Sequence, residues 1–279
     1  MSIKPDFTGK VAIVTCSSSG VGAAIAIALA RAGARVVISG RYALKVNAVA
    51  NECHKVSPNK LKPIEVMVDM LRPEDLQRLI RQTIERHNRL DILVNCCNLK
   101  AMTRFTDNDF MDKYRQTLDL NLHSLVYLTH LCVPHLEQTR GTIVNISTIG
   151  AYATFTEYTP NCMAKSALNM FTECMASDLA TKGIRVNSVN HGPIIDYQFT
   201  ENGGRRRPKP RKRKHIEADA VSEAYGRQCP AGRAGTGMDV SNAVLYLASD
   251  NASFVTGVHH VIDGGHLAAG LTPIVKIVN

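Results

Sequence analysis

Apolar residues gather in short, nearly continuous runs, separated by longer segments that carry a helical stripe. The runs are VAIVT (11–15), RVVIS (35–39), IEVMVD (64–69), DILVN (91–95), TIVNIS (142–147) and IRVNSVN (184–190). Continuous rather than alternating apolarity marks parallel strands covered on both faces. Between them, Val21 to Ala32 is almost wholly Ala, Ile and Leu and stops at Gly33, a glycine that suits a helix C-terminus. Pro73 opens another helix, on which Leu76, Leu79, Ile80 and Ile84 form one stripe. A helix over 239–249 and a strand over 259–263 close the alternation. Repeated strand–helix units with no internal repeat predict an α/β fold, a doubly wound parallel sheet with helices on both faces. From Pro193 to Gly232 the periodicity fails, and this irregular segment is expected either to cover the domain or to be disordered.

Composition changes this picture in two places. The chain has 279 residues, 45% hydrophobic and 20% charged, enough to bury a full core. Its net charge of +9 has one source: RRRPKPRKRK (205–214) holds eight basic residues and no acidic one. Without it 25 basic residues face 24 acidic ones, so the body is nearly neutral. The eight cysteines (16, 53, 96, 97, 132, 162, 174, 229) show no C-x-x-C spacing and mostly sit in apolar segments. Reduced thiols are therefore expected, rather than disulfides or zinc ligands, and no metal site. The N-terminus, MSIKPDFTGK, lacks the apolar stretch of a secretory signal, and no run of about 18 apolar residues suggests a membrane span. An intracellular, cytoplasmic protein is expected, with the nucleus as an alternative through the basic run.

The first strand runs directly into TCSSSGVG and then a helix. Such a turn sets backbone N–H groups and the positive helix end against a pyrophosphate. LVNCCN, DLNLHSL, IVNIST, NCMAK and VNHGPI follow in order. With these six motifs, from about Phe7 to Gly265, the chain resembles the short-chain dehydrogenase/reductase family, and most closely its carbonyl and oxoacyl reductase-type members. The resemblance implies one Rossmann-type dinucleotide-binding domain over 1–279, with the irregular 193–232 as its substrate lid. It also implies a homodimer or homotetramer built through the helices bearing Asn121 and Lys165.

By the same resemblance the cofactor turn comprises Cys16, Ser18, Ser19, Gly20, Val21 and Gly22, with Gly20 and Gly22 nearest the phosphates. Asp69 meets the adenine, and Asn95, Lys165, Gly192 and Ile194 complete the cofactor set. Gly40 ends the second strand where NAD-preferring members carry an acid, and Arg41 follows it. A missing carboxylate beside an arginine favours a 2′-phosphate, hence NADP over NAD; Arg41 as a solvated helix-start residue is the plain alternative. Cys16 stands where the family has its first glycine, adding a side chain where the turn is tightest. Cys96, Cys97 and Asn98 replace N-A-G; Cys97 is a small hydrophobe for Ala, and Asn98 is able to adopt left-handed geometry in place of Gly.

At the chemical end the family uses a tyrosine whose proton is loosened by a lysine four residues later on the same helix face, with a serine holding the substrate oxygen. Here Lys165 is that lysine, Asn161 takes the tyrosine position, Thr148 the serine position, and Asn121 is the fourth member. Thr148 keeps a hydroxyl. Asn161 hydrogen-bonds but has no proton to give near neutrality, and loss of a positioned acid typically costs on the order of 10²–10⁴ in rate. Tyr158 and Tyr152 are nearby hydroxyls; Pro160 disfavours helix at residue 159 and leaves Tyr158 in the preceding loop. Cys162 reads as a half-buried thiol. His191 replaces the family's proline and reads as a loop histidine, and Asp196 stands where a threonine is usual.

The implied function is a NAD(P)(H)-linked oxidoreductase acting on a small-molecule carbonyl or alcohol, with weak or altered catalysis. A catalytically inactive, cofactor-binding or interaction protein on the same fold is the alternative. The basic run, with Pro208 and Pro210 among its cations, is expected to be an extended solvated loop. It leaves open an insertion without a partner, a nuclear-import or nucleic-acid patch, and a contact for an anionic thioester substrate. With no interleaved aromatics, base stacking is unsupported.

Overall fold

The computed structural model describes residues 5–155, 157–195, 198–199, 205–206 and 229–270. Seven parallel strands form its sheet: β1 (Val11–Val14), β2 (Arg35–Gly40), β3 (Ile64–Met67), β4 (Ile92–Asn95), β5 (Thr142–Thr148), β6 (Arg185–His191) and β7 (His259–Ile262). Their spatial order is β7-β6-β5-β4-β1-β2-β3, so the winding reverses between β1 and β4. Every residue of β1 and β4 is buried, which is why both read as unbroken apolar runs.

Among the described residues, seven helices cover the two faces: α1 (Gly20–Arg31), α2 (Ala43–Val56), α3 (Pro73–His87), α4 (Phe110–Leu118), α5 (Ser124–Thr139), α6 (Thr159–Asp178) and α7 (Gly237–Ala248). On one face Ile25 and Leu29 of α1, Val46 and Val49 of α2, and Val240 and Val244 of α7 share a core with Val14 and Val94. On the other, Leu76 and Leu79 of α3, Leu125 and Leu128 of α5, and Leu168 of α6 pack on Ile13, Leu93 and Ile143. A π-helical turn over Asp119–His123 joins α4 to α5 and carries Asn121. Turns of this kind often mark functional positions. Helix α6 opens at Thr159, so Pro160 does not keep residue 159 out of the helix as expected: in the first turn proline has no N–H to lose to the ladder, and Tyr158 still precedes the helix.

The irregular 193–232 segment contributes two small ladders. Ile194–Ile195 pairs in parallel with Gly235–Thr236, and Gln198–Phe199 pairs antiparallel with Arg205–Arg206. Asp196 and residues 207–214 of the basic run lie outside the described residues. Among the described residues, no helix is long and apolar enough to cross a membrane.

The β1–β4 pair is fastened at both ends. At the amino end Asp91, 3% exposed, accepts from the Val11 N–H at 2.8 Å and from the Arg89 Nε and Nη2 at 2.9 and 2.6 Å. At the carboxyl end Thr15 donates its N–H to the Val94 carbonyl at 3.0 Å, and its Oγ1 accepts from the Cys96 N–H at 2.8 Å. Just beyond, Cys16 and Cys97 are joined by a disulfide, which corrects the expectation that all the cysteines are reduced. Adjacent parallel strands leave the sheet at the same level, so residues two past each end arrive side by side, with Cα atoms 5.4 Å apart. A separation of 81 residues hid that pairing from any local spacing rule. Cys53, Cys132, Cys162, Cys174 and Cys229 are free thiols, and Cys96 takes no part in the disulfide.

Asp91→Ala strands the buried Val11 N–H and unpairs Arg89, and is expected to cost about 2–4 kcal/mol. Asp91→Asn, which keeps an acceptor, is expected to lose less. Urea unfolding checks both as a fall in midpoint at unchanged slope.

Candidate dinucleotide and active site

A cavity of about 510 Å³ opens at the carboxyl ends of the strands, over the β1–β4 reversal. This is the usual ligand position of a doubly wound sheet, and the size suits a small ligand or cofactor. The turn after β1 forms its floor, with Cys16, Ser18, Ser19, Gly20, Val21 and Gly22 all in the wall. Gly20 has φ +56°, which favours glycine. A Cβ on Gly22 would meet the Cys16 carbonyl oxygen at 2.7 Å, so the helix can approach the turn only without a side chain there. Helix α1 has no acidic residue in its first turn, and the Ser19 side chain makes no capping bond. Its first N–H groups thus remain available to an anion.

At the β2 end, Gly40 packs so tightly on the Ser18 hydroxyl that any side chain at 40 would collide with it. Two cations edge the cavity there. The Arg41 guanidinium lies 5.8 Å and the Lys45 Nζ 5.3 Å from the centre of the Tyr42 ring, and all three residues line the wall. Lys45 was missed from sequence, although it follows Arg41 by one helical turn. Asp69 also lines the cavity, accepting from the Leu71 N–H at 3.1 Å.

The expected catalytic residues divide. Thr148 lines the cavity, and its Oγ1 accepts from the Gly150 N–H at 3.1 Å. Asn161 is 6% exposed and lies outside the wall; its Nδ2 donates to Asn98 Oδ1 at 2.8 Å and to the Leu99 carbonyl at 3.2 Å. Asn121 holds the same loop, accepting from the Leu99 N–H at 2.6 Å and donating to the Leu99 carbonyl at 3.0 Å. Asn98 is not among the residues with positive φ, so it does not stand in for glycine through left-handed geometry. Cys16 does adopt it, with φ +50°.

Lys165 is 1% exposed, beneath the wall, and its Nζ donates to the Ile146 and Cys97 carbonyls at 2.9 and 3.3 Å. Burial pulls this ammonium down to about 8, with Cys96 opposing the fall and Lys100 adding to it. Asn95 and Gly192 also sit behind the cavity. Asn95 donates to Thr129 Oγ1 at 3.0 Å and Asn145 Oδ1 at 2.9 Å. Gly192 packs against Asp263, whose Cβ lies 2.7 Å from where a Gly192 Cβ would be. Ile194 lines the wall.

His191 corrects another expectation. It is the last residue of β6, in register with Thr148 on β5, and not a loop histidine. It is 7% exposed and lines the cavity. Its Nδ1 is 2.8 Å from the Gly192 carbonyl, which only accepts, so Nδ1 carries the hydrogen and Nε2 is the acceptor. Burial pushes the imidazole down to about 4, against the pull of that hydrogen bond and helped by the charges of Lys100 and Lys165. Lys100 lines the cavity too, on a loop that offered no sequence signal. Tyr152 is outside the wall and 48% exposed.

A family model described as Enoyl-(Acyl carrier protein) reductase matches residues 15–266. The chain is 31% identical over 265 residues to L-fucose dehydrogenase of Bos taurus, covering 95% of this chain and 92% of that one. It is 33% identical over 261 residues to 7alpha-hydroxysteroid dehydrogenase of Clostridium sardiniense, with 92% and 93% covered. Among solved structures it is similar to a 7 alpha-hydroxysteroid dehydrogenase complexed with NADH and 7-oxo glycochenodeoxycholic acid. That likeness has a TM-score of 0.81 at 28% identity and covers 93% of this chain and 95% of that one.

His191 stays neutral in the folded protein down to about pH 4, whereas the unfolded chain takes up this proton near its ordinary 6.5. Unfolding therefore binds a proton between those values. The stability this group contributes is full above pH 6.5 and lost as pH falls to about 4, on the order of 3 kcal/mol. His191→Gln is expected to flatten that part of the profile, read as the difference between urea unfolding curves of the two proteins across the window.

Proposed function

The chain belongs to the short-chain dehydrogenase/reductase family, and from that premise we propose an NADP-preferring oxidoreductase whose proton path runs through Thr148 and His191 instead of a tyrosine–lysine pair. Members of the family are NAD(P)-linked oxidoreductases, and this chain carries the phosphate turn of one. The preference for NADP rests on one observation: two cations, Arg41 and Lys45, edge the cavity at a β2 end where Gly40 leaves no room for a carboxylate. The α1 N–H groups and the hydroxyls of Ser18 and Ser19 suit the pyrophosphate.

When bound, the dinucleotide supplies or accepts the hydride. The Thr148 hydroxyl holds the substrate oxygen, and His191 Nε2 takes the proton of a substrate alcohol. An imidazole held down to about 4 has no proton to give at pH 7 and accepts one only as a weak base, so the arrangement suits alcohol oxidation over carbonyl reduction, with little driving force for the proton transfer. The relatives named dehydrogenases of fucose and of a hydroxysteroid support a small hydroxyl-bearing substrate. Lys165, bonded to two carbonyls, holds the backbone of Cys97 and Ile146 in place. Homo-oligomerisation is proposed by resemblance, and an anion-contacting role for the basic run 205–214 from its charge alone.

A second reading, a dinucleotide-binding protein without turnover, draws on the same geometry: Asn161 and Lys165 are both engaged in hydrogen bonds behind the wall. Arg41→Ser and Lys45→Ala are each expected to weaken NADPH binding about tenfold or more and leave NADH binding unchanged, measured by fluorescence titration. His191→Gln is expected to slow single-turnover alcohol oxidation by roughly 10²–10⁴ with NADPH affinity retained. Wild-type rates in that variant would move the proton path elsewhere, and no hydride transfer by the wild type would leave the second reading.

A further inference from the structure

We propose that the Cys16–Cys97 disulfide is a reversible thiol–disulfide site in the floor of the dinucleotide cavity, and that its redox state sets how tightly the dinucleotide binds. The proposal rests on the dinucleotide reading above. It starts from position. The bond spans the strand ends at the β1–β4 reversal, and Cys16 is the first residue of the phosphate turn to line the cavity.

The two sulfurs differ in access. Cys97 is fully buried, while Cys16 is partly exposed on the cavity wall. An external thiolate therefore attacks the Cys16 Sγ. The S–S bond breaks, Cys97 leaves as a thiolate and takes up a proton, and Cys16 is held in a mixed disulfide. A second external thiolate then displaces Cys16, which leaves as a thiolate and takes up a proton in turn. The balance is two electrons and two protons, with one external dithiol converted to its disulfide. Reoxidation by a small disulfide such as oxidised glutathione runs the same steps backwards. A bound dinucleotide lies over the sulfur that must be attacked, so it is expected to protect the bond.

The direction of the effect follows from the backbone. Cys16 is held at φ +50°, a conformation that a residue with a Cβ leaves readily unless something retains it. Its neighbours are fixed by hydrogen bonds. Thr15 is bonded to β4, and the Ser17 N–H and hydroxyl are bonded to Ser39 and Val14. The side chain of Cys16 is tied by the disulfide. The Cys16 carbonyl also packs against Gly22 in the first turn of α1, so relaxation at Cys16 displaces the helix end that faces the phosphates. The oxidised form is the tight binder, and reduction is expected to weaken NADPH binding about 5–30-fold.

The test uses the full chain, oxidised with glutathione disulfide or reduced with dithiothreitol. Intact mass and alkylation at Cys16 and Cys97 report the bond; NADPH fluorescence titration reports affinity. Reversible loss of the bond in native buffer, slowed by NADPH and accompanied by the 5–30-fold change, is expected. Cys97→Ala, which keeps Cys16 untethered, is expected to bind like the reduced form whatever the redox state. Cys16→Gly, which frees the turn from its strained residue, is expected to lose the redox response and bind tightly. Equal affinity of both forms, or a bond reducible only after unfolding, would overturn the proposal. A reversible bond with no NADPH binding in either form would instead sink the dinucleotide reading and with it the redox control of binding.

Discussion

The pairing of β1 with β4 governs the molecule. Strands that follow β1 are laid down on one side of it as far as β3, and the chain then crosses back to place β4 on the other side. Helices leaving β1 and β4 therefore pack on opposite faces, and above the disulfide the loops from the two strands part, leaving a crevice among the described residues. The cavity is a consequence of that topology. The pair needs fastening, because its register decides which residues face the crevice. Asp91 supplies this below, and Thr15 with the disulfide supplies it above.

That constraint explains what could be read from the chain. Inner strands buried on both faces leave a nearly unbroken apolar signature, the edge strands β3 and β7 are only partly buried, and all seven were legible within a residue or two of their ends. The turn residues 16–22 were legible because glycine is required at Gly20 and Gly22 by backbone conformation and close approach, which are local demands. The directions of long polar side chains were not legible. Lys165 and Asn161 occupy motif positions, yet hydrogen bonds to residues more than 60 positions away turn both behind the wall. His191 looked like a loop residue because histidine is uncommon in a buried strand, and only the structure, which sets it at the end of β6 beside Thr148 and in the cavity wall, shows otherwise.

Low dielectric makes this region consequential. Beneath the wall an ammonium is stable only with acceptors around it. Lys165 has two carbonyls, one from β5 and one from the segment after β4. It thereby ties the β4 loop to the sheet from below. Asn121 and Asn161 grip the same loop at Leu99.

The residues that the resemblance sets apart from the family pattern are coupled to one another. Cys16 and Cys97, at positions where the resemblance implies a glycine and an alanine, are one covalent bond. Asn98 and Asn161, where it implies a glycine and a tyrosine, are one hydrogen bond of 2.8 Å. The ring of His191, where it implies a proline, lies on the Gly192 carbonyl. Independent losses in a buried site would leave donors and acceptors without partners, each at about 1–3 kcal/mol. Among the described residues the buried side-chain atoms left without a hydrogen bond belong to His87, Asn95 and His266, none of them one of these positions. A pocket whose replacements satisfy one another is a consistent structure in its own right, and its chemistry follows from the groups that face the cavity now.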